Sequence, residues 1–131
     1  MSISAQPTAV VHALRAELLS AEAILNTQYS FGLAEPSYIK CLELIAGAPE
    51  QRDQLGKLIT SMLASGEVSD EPVAFLMHVL RWPEVLDWAR NQLRHLKNPI
   101  ANGRPIEKII AAFSDDWENR EFYKMFDGTA P

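Results

Sequence analysis

Cysteine is nearly missing from this chain: Cys41 is the single example. One thiol excludes an intramolecular disulfide and any zinc site built mainly on cysteines, and it fits a reducing compartment. Long hydrophobic runs are missing as well. No stretch approaches the ~18 apolar residues that cross a bilayer. The amino-terminal MSISAQPTAVVHALRAELL carries no basic leader before its apolar residues, and Arg15 and Glu17 break the run. A cytoplasmic protein with no membrane partner is expected. Basic residues are in deficit, with 12 Lys and Arg against 17 Asp and Glu and a formal net charge of −5. That balance argues against a dedicated nucleic-acid binder, which needs clustered cations to neutralise phosphates. The G-x-S-x-G elbow, the phosphate-binding loop and the dinucleotide fingerprint are all absent, so no cofactor is expected. Alternating apolar and polar runs bounded by turn residues are absent too, so no strand is expected.

What is present is helical periodicity. The 131 residues are 47% apolar and 22% charged, an ordinary globular composition at single-domain size. The reading is therefore one all-α domain over residues 1–131, an irregular bundle or short array of about six or seven helices. Its organising stretch is Glu71–Leu96, which carries the run Val73-Ala74-Phe75-Leu76-Met77 and both Trp82 and Trp88. Apolar positions recur there at close to the helical period, interrupted at Pro83, which lacks an amide proton and clashes with the preceding turn. Two helices, or one sharply kinked helix, jointed at Trp82-Pro83 follow.

The remaining elements read in order from Pro7. A first helix with a stripe of Val10, Val11, Leu14, Leu18, Ala21 and Leu25 is expected to end near Asn26. Tyr29-Ser30-Phe31-Gly32 reads as a loop, and a second helix starts around Pro36-Ser37 and stops at Gly47-Ala48-Pro49. The third runs from about Pro49 to Ser65, with Gly66 as a left-handed cap. Ser69 or Asp70 caps the fourth, with Pro72 in its first turn. The breaker cluster NPIANGRP separates the fifth helix from a last helical region carrying Ile106, Ile109, Ile110 and Phe113. Asp115 with Glu118 three residues on reads as a capping box for a further short helix.

The candidate chemistry is thin. His12, His78 and His95 fall on three different helices, and none has a ligand partner at i+3 or i+4, so no metal site is expected. Cys41 lies near a buried stripe and reads as a structural thiol. Asp115, Asp116 and Glu118 are close carboxylates whose capping and helix-dipole roles already account for them. Charge is distributed unevenly. Asp115 to Asp127 holds five acidic and two basic residues, while Arg81 to Lys108 holds six basic and three acidic. Arg90, Arg94 and Lys97 form one cationic stripe on the fifth helix. The acidic segment also carries aromatics, and rings inside a charged rim are typical interface anchors. A partner-binding surface is accordingly expected at Asp115, Asp116, Trp117, Glu118, Glu121 and Tyr123. On an α-helical period Phe122 and Phe126 turn to the core and leave Trp117 or Tyr123 available.

The phrases LMHVLRWPEV (residues 76–85) and AFSDDWENREFYKMF (residues 112–126) resemble small all-helical bacterial immunity proteins of contact-dependent and type VI toxin systems. Such proteins bind and neutralise a cognate toxin domain. The resemblance implies an acidic, cytosolic, non-enzymatic inhibitor acting by protein–protein contact, on a partner that is often a basic nuclease. Two other classes stay open. One is a helical adaptor or regulatory protein, with Arg90, Arg94 and Lys97 facing a nucleic acid or an acidic protein. The other is a small enzyme with a site around Asp115, Asp116 and His78.

Overall fold

Ser30 decides how the chain folds back on itself at its first turn. Its extended backbone (φ −137°) and its hydroxyl, which accepts the Leu33 N–H at 3.2 Å, make it the N-cap of a helix. That helix therefore begins at Phe31, several residues before the Pro36-Ser37 start expected from sequence. The cap chemistry of Ser30 outweighs the proline signal, and Pro36 sits inside the helix at the loss of one backbone bond. The computed structural model describes residues 7–96 and 103–126, and the chain divides into two compact units, residues 1–68 and 69–131. Among the described residues there are six α-helices and no strand, so the protein is all-α.

In the first unit α1 (Pro7–Gln28) and α2 (Phe31–Ala46) pair across a link of two residues. α1 runs two residues past the expected Asn26. The pair buries Leu14, Leu18 and Ala21 of the predicted stripe against Ala34, Tyr38, Cys41 and Ile45. A short 3₁₀ turn (Pro49–Gln51) leads into α3 (Arg52–Ser65), which packs on α1 and buries Leu55, Ile59 and Met62. Gly66 closes α3 in left-handed conformation at φ 83°, as its sequence position requires. The Glu67 N–H then reaches the Met62 carbonyl at 2.9 Å and completes the cap. Arg15 and Glu67 form an ion pair in which both side chains are partly exposed, so it contributes little.

The second unit is built on α4 (Asp70–Leu80), in which every residue from Glu71 to His78 is buried. α5 (Pro83–His95) and α6 (Arg104–Ala111) follow, and α6 packs against both α4 and α5. The joint expected at Trp82-Pro83 is present: Trp82 is extended and buried, and Pro83 opens α5. The reversal itself falls on Arg81, at φ 52° and ψ 44°. Most of the breaker cluster NPIANGRP lies outside the described residues, as does Lys97. Beyond α6 the chain turns through Ser114–Asp116 into 3₁₀ turns at Glu118–Phe122 and Lys124–Phe126.

Candidate functional site

Three side chains on one stripe of α4 organise the segment that carries the predicted surface. Glu71, Phe75 and His78 stand at i, i+4 and i+7, so they share a face. Glu71 is only 7% exposed, and its carboxylate accepts from the Tyr123 hydroxyl and from Asn119 Nδ2 at 2.9 Å. Burial pushes the Glu71 carboxyl above the ordinary range, against the pull of those two donors. The Phe75 ring meets Tyr123 edge-on at 4.8 Å between centroids and Phe126 at 5.4 Å. His78 lies 5.0 Å from Trp117 and 5.0 Å from Phe126, and its Nδ1 is 2.8 Å from the Ala112 carbonyl. The Nδ1–H is donated there, and burial lowers the basicity of the ring against the pull of that bond.

Arg81 holds the same region from the end of α4. Its Nε donates to the His78 carbonyl at 2.8 Å, one terminal nitrogen to the Phe113 carbonyl at 2.8 Å, and the other to Asp115 at 3.1 Å. The capping box expected of Asp115 and Glu118 does not form. Asp115 turns to Arg81, Asp116 pairs with the Ser114 hydroxyl, and Trp117 occupies the N-cap of a 3₁₀ turn.

The rings expected to face outward face inward. Trp117 is 5% exposed and Tyr123 1%, whereas Phe122 is 53% exposed and Met125 42%. The cause is the backbone. The segment is no continuous helix but two short 3₁₀ turns joined at Tyr123, whose backbone is extended at φ −117° and ψ 135°. A 3.6-residue period assigns the wrong rings to solvent. Asp115, Asp116, Glu118 and Glu121 do stand exposed, so the acidic part of the predicted surface is open to solvent while Trp117 and Tyr123 are not.

Of the side chains named for an enzymatic reading, His78 is packed between rings, with the charge of Asp115 near enough to act on it. Asp115 pairs with Arg81, and Asp116 pairs with the Ser114 hydroxyl. Of the cationic stripe, Arg90 and Arg94 are exposed, with Arg94 donating to Asn91 at 3.3 Å, and Lys97 is outside the described residues. Burial, with the nearby charge of Glu17, pushes the Cys41 thiol up to about 12, far from a reactive thiolate. Among the described residues no group of three or more His, Cys, Asp or Glu could hold a metal ion. No described helix is long and apolar enough to cross a membrane. An open groove of about 410 Å³ is lined by Ala13, Glu17, Lys40, Glu43 and Leu44, with no aromatic side chain among them.

Sequence reasoning missed Glu71 and Arg81 as organisers of this region. Their partners lie far along the chain, and no local pattern marks them. No family model matches the chain, and neither the curated proteins nor the solved structures contain a match.

Proposed function

We propose that this protein is an immunity-type inhibitor that acts in the cytoplasm by docking a basic toxin domain on the outer face of residues 115–125. One observation carries the reading. Phe122 and Met125 stand exposed on the same short segment as exposed Asp115, Asp116, Glu118 and Glu121, and that segment is pinned from behind by Glu71, Phe75 and His78. An apolar anchor within a charged rim suits a protein interface: the anchor sets affinity and the rim steers an oppositely charged partner. Because the inner rings are already held, the surface is ordered before a partner arrives, which lowers the entropic cost of binding. The resemblance of residues 76–85 and 112–126 to immunity proteins supplies the partner class, a secreted toxin domain that is often a basic nuclease.

Surface plasmon resonance against the toxin domain encoded beside this gene tests the proposal. The double variant Asp116→Arg, Glu121→Arg should slow association at least tenfold at low salt, with the difference shrinking as salt is added. Phe122→Ser should mainly speed dissociation. Circular dichroism should show both variants folded, since surface changes usually stay within ~0.5 kcal/mol of stability. Unchanged rate constants in folded variants would remove this segment from the interface.

A further inference from the structure

After Ser114 the chain holds to itself by short local bonds. Among the described residues the backbone N–H groups of Trp117, Arg120, Tyr123 and Phe126 reach the carbonyls of Ser114, Trp117, Arg120 and Tyr123 at 3.2 to 3.3 Å. None of these four bonds leaves the segment, and short 3₁₀ turns are weak by themselves. Side chains fasten the segment to α4. Asn119 and Tyr123 donate to Glu71, Tyr123 and Phe126 lie on Phe75, and Trp117 and Phe126 pack on His78. Arg81 adds its bonds to Phe113 and Asp115 at the near end. A piece tied on by side chains, without a shared backbone ladder, opens at a free energy below that of global unfolding.

His78 is the anchor whose chemistry works against closure in acid. Its Nδ1–H is already spent on the Ala112 carbonyl at 2.8 Å, immediately before the segment begins. A second proton goes to Nε2, which has no acceptor among the described residues. The ring is 7% exposed, so water does little for the added charge. Two guanidiniums lie near enough to oppose it: Arg81 at the end of α4, and Arg120, whose charge sits 5.5 Å from the centre of the Phe126 ring. Asp115 attracts the proton, but that carboxylate is 99% exposed and screened. Glu71, the other titratable anchor, faces Asn119, Tyr123, Asp70 and Lys108. It gains its proton more readily when the segment is closed, so it resists opening as pH falls.

We propose that residues 113–126 form a strap that lifts off α4 as one unit in weak acid, released by the proton that His78 takes up. Lifting frees the His78 ring to bind that proton and uncovers Phe75. On the docking reading above, the same proton would switch that surface off; the strap itself does not depend on that reading.

Hydrogen exchange of the full chain, read by mass spectrometry at ~pH 7.5 and ~pH 5 and corrected for the intrinsic rate at each pH, tests the strap. Protection over residues 117–126 should fall at least about tenfold in Glu71→Gln, where the opposing carboxyl is gone, while α4 stays within about twofold. The wild-type strap should lose less. Adding His78→Phe to Glu71→Gln should hold the strap within about twofold across the same range. Followed by NMR in the wild-type chain, with no substitution to tolerate, the His78 ring should titrate below 6.5. An α4 that loses protection in step with the strap, or a Glu71→Gln strap that keeps its protection, would overturn the proposal. So would an equal fall without His78, or a ring that titrates at or above 6.5. Failure of the docking reading shows instead in unchanged rate constants and leaves the exchange pattern as it is.

Discussion

Arg81 shows how one side chain can justify an unfavourable backbone. Its left-handed conformation costs ~1 kcal/mol or more, and its Nε and one terminal nitrogen satisfy the carbonyls of His78 and Phe113. The contact with Asp115 adds little, because that carboxylate is 99% exposed and screened. Arg81→Ala keeps the strain and loses the bonds, so it should cost ~2–3 kcal/mol. Arg81→Gly loses the same bonds but frees the backbone, and should retain ~1 kcal/mol of that loss. Urea midpoints should therefore fall in the order wild type, glycine variant, alanine variant. A glycine variant no better than alanine would show that the backbone at this position is unstrained.

At the scale of an element, α4 couples the fold to pH through its two buried titratable residues. Burial lowers the basicity of His78 below the ordinary 6.5, so the unfolded chain binds the extra proton as pH falls. Its contribution to stability is present above that ordinary value and is lost as pH drops below it. Glu71 acts in the opposite sense. Its carboxyl is raised above the ordinary 4.5 by burial, so the folded chain holds its proton longer, and stability falls as pH rises through that window. Urea titrations from pH 8 to pH 4 should resolve the two. His78→Phe should remove the acid-side loss below 6.5, and Glu71→Gln should remove the opposing slope above 4.5. If His78→Phe left the profile unchanged, the histidine would bind its proton equally well in the folded and the unfolded chain. The same helix shows why element boundaries are readable here: Ser69 stands at the N-cap position without a side-chain cap bond, Pro72 lies in the first turn, and Pro83 opens the next helix. α2 was misread because Pro36 imitates a helix start, while the true start rests on one serine hydroxyl.

Across the whole molecule the acid excess, net −5, sets which large partners are compatible. Arg90 and Arg94 are exposed on α5, but two cations release too few counterions to offset that field. Fluorescence anisotropy with mixed oligonucleotides at low salt should show no binding at micromolar protein. A salt-sensitive rise in anisotropy would favour the adaptor reading over the inhibitor. The sequence by itself determined the all-α class, the joint at Trp82-Pro83, the glycine cap at Gly66, and the concentration of acid after Asp115. Each of these depends on neighbours within about one turn of helix. Only the tertiary structure decided that Glu71 would meet Asn119 and Tyr123, separated from it by 48 and 52 positions. It also decided that Phe122, not Trp117 or Tyr123, would face solvent. The extended Tyr123 between two short 3₁₀ turns breaks any single helical period there, and α4 supplies the partners that hold Trp117 and Tyr123 inward.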